Sequence, residues 1–240
     1  MQTLAKSYGR IGGLDRLAAV VKRVRGERGN DKVLFSMAAI PGRARSARTR
    51  SKGQDMVDCM ALLKPDAMTG HWEFTYGEAR VKELIKTLDY PFLALNIRDT
   101  EWNEPAFEPM KMFEKGGVED RGARAGLSLY AGRQSALDDA EMVVRYPRGR
   151  CARAMSKRRA KAGAQLVVLL SHNGFDVDRK LASRVTGIDV ILTSHTHDAL
   201  PEAIKVGNDI ARGVGQPRQS SYRASTSMCR TARSKISATG

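Results

Sequence analysis

The stretch from Gln165 to Glu202 reads QLVVLLSHNGFDVDRKLASRVTGIDVILTSHTHDALPE, and its pattern decides the fold. Continuous apolar runs at 165–171 and 188–194 predict two strands that are buried on both faces. Between them, the segment 177–185 has the apolar spacing of a helix. A strand, a helix and a second strand in this order predict an α/β layered fold.

Histidine follows both of these predicted strands. His172 comes directly after the first strand, and His195 and His197 come after the second. The fourth histidine of the chain, His71, follows a short strand predicted at 66–69. Because ligand sites of open α/β sheets form at the carboxyl ends of the strands, the sequence predicts four imidazoles at one edge of the sheet.

Further helices and strands are predicted in the amino-terminal half of the chain. They are helices at 12–27, 53–64 and 77–88 and strands at 32–35, 66–69 and 91–97. The alternation of helices with short apolar strands supports the same α/β class.

The basic residues are concentrated in three stretches of unusual composition. The chain of 240 residues has a formal net charge of +15, and residues 36–51, 121–159 and 209–240 together carry +16. The other 153 residues therefore have a net charge of −1. The three stretches are rich in Arg, Ala, Ser and Gly and have little helical or strand period, so 36–51, 119–159 and the tail 209–240 are expected to be irregular.

Three interpretations of the basic stretches are open. They are disordered insertions that bind nucleic acid, solvated surface loops, or out-of-frame translation of GC-rich DNA. The third is favoured, because each stretch starts abruptly where a regular element should continue. Nucleic-acid binding is disfavoured, because few aromatic side chains that could stack on bases lie between the arginines.

Composition also argues against several other classes of protein. No run of about 18 or more apolar residues occurs, so no membrane span is predicted. The amino-terminal segment lacks the apolar core and cleavage site of a secretory signal. The cysteines Cys59, Cys151 and Cys229 are scattered, which argues against a disulfide framework and against a thiolate metal site.

The histidines predict a metal site. Imidazole is the commonest side-chain ligand for zinc, manganese, iron and similar metals. In an extended segment alternate residues point the same way, so His195 and His197 can reach a common point. With His71 and His172 they form the predicted ligand set, and such metals favour hydrolysis because they polarise an oxyanion and activate water.

Polar residues beside the histidines have two interpretations each. Asn173 adds an amide oxygen to the site or is a turn residue before a glycine. Asp176 and Asp178 are ligands or, as the sequence favours, the amino-terminal cap of the following helix. Asp198 orients a histidine or is a solvated loop acid.

The quoted stretch resembles the calcineurin-like metallophosphoesterases, in their 5′-nucleotidase branch. That family carries a histidine in a strand-end T/S-H-x-G motif and later a G-H-x-H/Q motif. Residues 70–77, GHWEFTYG, stand in place of the usual GNHEF. Together with SHNGFDVD and HTHDALPE they are similar to the SoxB group of thiosulfohydrolases, over roughly residues 8–35, 52–118 and 160–208.

The resemblance implies a four-layer α/β/β/α sandwich and a site for two ions, manganese with zinc as the alternative. His71 takes the place of the family's asparagine ligand and joins His172 and His195 on one ion, while His197 lies on the other. His71 and His172 are the implied catalytic residues. The catalytic domain is expected to span 1–208.

The implied reaction releases sulfate from a cysteine S-thiosulfonate on a SoxYZ-like carrier protein, with water activated by the metal as the nucleophile. No nucleic-acid or membrane partner is expected. The SoxB group works in the periplasm, so the resemblance implies a periplasmic location. The alternatives are a 5′-nucleotidase-like phosphoesterase and a non-catalytic fragment.

The sequence departs from the family pattern at several motifs. The Asp-x-His motif of the first strand and the Gly-Asp motif whose aspartate bridges both metals are missing, and Ser194 replaces the glycine before the HTH motif. The resemblance also implies a carboxy-terminal substrate-binding domain, which the sequence is expected to lack. An incomplete sandwich, an incomplete second metal site and a partial or impaired copy of the enzyme are therefore expected.

Overall fold

The structure is a computed structural model. It describes residues 14–38, 51–115, 124–130, 142–144, 166–186, 188–196 and 204–206.

The helices lie close to where the apolar spacing predicts them. They are α1 (Leu14–Arg28), α2 (Gln54–Leu63), α3 (Glu78–Lys86) and α4 (Phe175–Ala182). Short 3-10 helices lie at Asn30–Lys32 and Trp72–Tyr76. The apolar faces of α2 and α3 are buried through residues at helical spacing: Val57, Met60 and Leu63, and Val81 and Leu84.

The strands in the described part of the chain form three small sheets. They are β1 (Ser36–Ala38), β2 (Ala67–Thr69), β3 (Ile97–Asp99), β4 (Met110–Glu114), β5 (Arg124–Tyr130), β6 (Met142–Val144), β7 (Leu166–Ser171) and β8 (Val190–Leu192). β1 pairs with β2 in parallel, and β3 pairs with β6 antiparallel. The third sheet has the order β4-β5-β7-β8, in which β5, β7 and β8 run parallel and β4 runs against them. The α/β class predicted from the sequence is confirmed.

The predicted strand at 32–35 is wrong in its position. Strand β1 begins at Ser36, where the sequence predicted the strand to stop. The register of β1 is set by its contacts with Asp66, the residue before β2. The backbone N–H of Asp66 donates to the carbonyl of Phe35 (2.6 Å), and the Asp66 carboxylate accepts the N–H of Phe35 (2.8 Å). Ser36 then pairs with Ala67, so contacts across the chain decide where the strand starts.

Two other predictions from the sequence also need correction. The expected irregularity at 36–51 and 119–159 is wrong for β1, β5 and β6. The predicted strand at 91–97 is broken, because Phe92 and Leu93 form isolated bridges to Met68 and Glu108 and regular pairing starts only at Ile97. The tail 209–240 lies outside the described residues.

A cluster of buried apolar side chains joins the two parallel strand pairs. Ala67 of β2 and Leu93 pack against Val168 and Leu170 of β7, all four being at most 6% exposed. This contact places the end of β2 beside the ends of β7 and β8, which carry the histidine motifs. Each α-helix in the described part of the chain is too short or too polar to cross a lipid bilayer.

Candidate metal centre

Three histidines from three strand ends meet at one point. His71 lies two residues beyond β2, His172 directly follows β7, and His195 lies three residues beyond β8. The ring centroids of His71 and His172 are 4.1 Å apart, those of His71 and His195 4.9 Å, and those of His172 and His195 5.3 Å. His71 and His172 are buried and His195 is half-buried.

The three imidazoles fit a metal ion. One ring nitrogen of each lies within 4.8 Å of the corresponding nitrogens of the other two. For three atoms spaced in this way, a point exists within about 2.8 Å of all of them, compared with about 2.0–2.1 Å for a zinc–nitrogen bond. A small adjustment of the side chains therefore closes the site around an ion. Among the described residues the donor set is three histidines, which is the number of protein ligands that catalytic zinc sites combine with an open fourth position.

The backbone around His71 is held by tight packing and by a buried carboxylate. A Cβ on Gly70 would lie 2.7 Å from Cζ of Phe92, so only glycine fits without displacing that ring. Glu73, which is 5% exposed, accepts a hydrogen bond from the backbone N–H of His71. Burial, the charge of Asp89 and the charge of Glu73 raise the pKa of the Tyr90 hydroxyl.

The loops that carry His172 and His195 touch each other. Gly174 has a φ of +99°, and a Cβ there would lie 2.9 Å from Cγ2 of Thr196. His195 itself has a φ of +89°, which is uncommon for a residue other than glycine. Such strained conformations cluster at functional sites, where the surrounding structure holds them.

Asp178 is a residue of the site region whose role the sequence analysis missed. The sequence favours a helix cap over a metal ligand for it, but Gly174 is the cap residue of α4 and makes no side-chain cap bond. Asp178 is 2% exposed and accepts hydrogen bonds from Ser171, Asn173 and Thr193. Burial raises the pKa of its carboxyl group, and the three donors oppose that rise. Its spacing from Leu181 and Ala182, three and four residues on, shows that it lies on the buried face of α4.

The structure describes two of the remaining candidate residues, Asn173 and Asp176, and not the other two. Asn173 uses its amide nitrogen to donate to Ser171 Oγ (2.8 Å) and Asp178 Oδ1 (3.2 Å), so it is part of the hydrogen-bond network behind the histidines. Asp176 is exposed. His197 and Asp198 lie outside the described residues, and their roles stay predictions.

Comparison with known proteins finds relatives in sequence and similar solved structures, but no family model. No family model matches the chain. The 5′-nucleotidase of Rattus norvegicus is 26% identical over 198 residues, which cover 79% of this chain and 33% of that protein. Among solved structures, the sulfate thiohydrolase SoxB of Thermus thermophilus has a TM-score of 0.76 at 29% identity, covering 90% of this chain and 40% of its own. The calcineurin-like phosphoesterase YfkN of Bacillus subtilis has a TM-score of 0.70 at 19% identity, covering 87% and 74%.

The chain is similar in sequence to 5′-nucleotidases and similar in fold to a calcineurin-like phosphoesterase. The family-level resemblance drawn from the histidine motifs is thereby confirmed, and the relatives are hydrolases by name. The likeness to YfkN bears on the fold alone. The chain spans about a third of the length of the curated relatives it matches.

Proposed function

We propose that this chain is part of a metal-dependent hydrolase of the SoxB type, which releases sulfate from a cysteine S-thiosulfonate on a SoxYZ-like carrier. The observation that carries the proposal is the convergence of His71, His172 and His195 at the carboxyl ends of three strands. The similarity to SoxB, at 29% identity, supports the choice of substrate. In this reaction the oxygen of water bonds to the terminal sulfonate sulfur, the sulfur–sulfur bond to that group breaks, and the group leaves as sulfate. The inner sulfur stays on the carrier cysteine as a persulfide, which takes one proton of the water while the other goes to solvent.

In this proposal the three imidazoles hold one ion, with His71 and His172 as the catalytic residues. The ion supplies Lewis-acid polarisation and lowers the pKa of water bound to it. Manganese is the proposed metal by resemblance to the SoxB group, and zinc is the alternative because imidazole suits zinc well. His197 is proposed to serve the second ion of the family, and the proposed location is the periplasm.

A 5′-nucleotidase-like phosphoesterase is the second candidate, and a specific observation favours it. Several curated relatives of the chain are 5′-nucleotidases, including the rat protein at 26% identity. The replacement of GNHEF by GHWEF around His71 weighs against it, because the asparagine of the usual motif is changed.

The two candidates are separated by their products. The purified chain, loaded with Mn²⁺ or Zn²⁺, is given either an S-thiosulfonated cysteine peptide or adenosine monophosphate, and sulfate and phosphate are measured. We expect sulfate release that depends on metal and is lost in His71→Ala and in His172→Ala. Phosphate release without sulfate release would establish the nucleotidase alternative. A chain that binds metal and releases neither product would be a non-catalytic fragment.

A further inference from the structure

Asp178 has an environment that is uncommon for a charged residue of a helix. It lies on the buried face of α4, at 2% exposure, between the helix and the ends of β7 and β8. Removing a carboxylate from water is unfavourable unless it is hydrogen-bonded, and an alanine or leucine at this position would avoid that cost. The hydrogen bonds that Asp178 accepts show what it holds in place.

The two oxygens of Asp178 contact different strands. Oδ1 accepts a hydrogen bond from the hydroxyl of Ser171, the last residue of β7, at 2.7 Å. Oδ2 accepts one from the hydroxyl of Thr193, the first residue after β8. Ser171 Oγ also accepts the backbone N–H of Asn173 (3.3 Å), which ties the turn after His172 to the same group.

The backbone pairing of β7 and β8 stops before these residues. The last pair in the register is Leu170 with Leu192. Ser171 and Thr193 are therefore the first residues beyond the pairs of β7 with β8, although Ser171 still pairs with Tyr130 of β5. At this point the carboxylate of Asp178 joins the two strand ends through the hydroxyl groups of Ser171 and Thr193.

We propose that Asp178 is a positioning residue, which sets the separation of the β7 and β8 ends and through it the distance between the rings of His172 and His195. This inference rests on the proposed metal centre. His172 directly follows Ser171, and His195 lies two residues beyond Thr193. A change in the separation of the two anchor residues is therefore passed on to the two rings, whose centroids are 5.3 Å apart.

The test uses variants that differ by one hydroxyl. Thr193→Val keeps the shape of the side chain and removes the donor to Asp178, whereas Thr193→Ser keeps the donor. Asp178→Asn replaces one acceptor oxygen by an amide. The matched control is Asp189→Asn at the opposite end of the same strands, where the carboxylate accepts the backbone N–H of Val167 (2.8 Å).

Two quantities are measured in each variant. The first is the dissociation constant for Zn²⁺, by competition with a coloured chelator. The second, in metal-free protein, is the nuclear Overhauser contact between the imidazole protons of His172 and His195, with the His71–His172 contact as the internal reference. Partners that orient metal ligands typically contribute 10- to 100-fold in metal affinity.

We expect Thr193→Val and Asp178→Asn to weaken zinc binding by about 10- to 100-fold and to weaken the His172–His195 contact. Thr193→Ser and Asp189→Asn should stay within about threefold of the unmutated chain. The proposal is overturned if folded Thr193→Val keeps both zinc affinity and the ring contact, or if Asp189→Asn loses them to the same extent. If Asp178→Asn does not fold, the threonine pair decides.

The outcomes also separate this inference from the proposed function. If the unmutated chain binds no zinc or manganese but the ring contact responds as expected, Asp178 positions the rings and the metal-centre proposal fails. If the unmutated chain binds metal and no variant changes either readout, the metal centre stands and the positioning role fails.

Discussion

Replacing His172 with alanine should weaken metal binding, because it removes one of the three imidazoles of the cluster. The side chain is 6% exposed, and its ring centroid lies 4.1 Å from that of His71 and 5.3 Å from that of His195. Alanine at this position leaves two imidazoles, which lie on loops after β2 and β8.

The magnitude follows from the number of ligands. Structural zinc sites with four protein ligands bind with about 10–16 kcal/mol at neutral pH, which is roughly 3 kcal/mol for each ligand. The three nitrogens of this cluster lie within 4.8 Å of one another, so each is placed to contribute its share. At about 1.4 kcal/mol for each factor of ten, the loss of one ligand raises the dissociation constant for zinc about 100-fold.

The assay is competition of the metal-free protein with a chelator of known zinc affinity. It is done in a background without cysteine, because Cys59 is a free thiol that could bind zinc by itself. His71→Ala and His195→Ala should lose affinity to a similar extent. His197→Ala should leave the affinity for this ion within about threefold, since the resemblance assigns that residue to the other ion.

A His172→Ala chain that keeps its secondary structure and binds zinc as tightly as the unmutated chain would refute the reasoning. The three rings would then be a packing cluster, and the zinc would be bound elsewhere. Equal losses in the His197 variant and in the other three would instead refute the assignment of the residues to separate ions.

Three further predictions concern the stability of the metal-free protein. Gly70→Ala should destabilise the metal-free protein by about 1–3 kcal/mol and lower its Tm in a thermal melt, because the added methyl group would lie 2.7 Å from the ring of Phe92. An unchanged Tm would show that the ring moves freely. Asp66→Asn should lower the free energy of unfolding in urea by about 1–3 kcal/mol, because the Asp66 carboxylate accepts charged hydrogen bonds from the partly buried Lys115 (2.9 Å) and from Arg25 (3.4 Å). A decrease below about 0.5 kcal/mol would contradict this reasoning. Burial raises the pKa of Asp178, so the folded state binds the carboxyl proton more tightly than the unfolded state, and the stability of the unmutated chain relative to Asp178→Asn should fall as the pH rises above the ordinary value of 3.8. A difference between the urea midpoints of the two proteins that stays constant from pH 4 to 7 would count against the raised pKa.

Much of the architecture could be predicted because its signals are local. The apolar run 166–171 and the helical spacing of α3 and α4 depend on neighbours in the sequence, and the structure has those elements within a few residues of the predicted bounds. The placement of histidine after strands is also a local pattern, and from it the meeting of His71, His172 and His195 could be inferred. Whether they bind a metal stays a prediction.

Other features depend on distant partners and left weak traces in the sequence. Strand β5 lies between β4 and β7 in the sheet, although its own residues show no clear strand period. The start of β1 depends on the contact between Phe35 and Asp66, 31 residues apart. A spacing rule for single elements cannot detect pairings of this kind.

The sequence by itself determined the four helices, the strands β2, β7 and β8, and the histidines that follow these three strands, because apolar periodicity acts over a few residues. Tertiary structure alone decided that Asp178 holds Ser171 and Thr193 together. The reason is physical: a buried carboxylate takes the donors that packing brings to it, and here they come from two strands whose register is set by the core beneath them. On sequence alone, the same aspartate has the pattern of a helix cap.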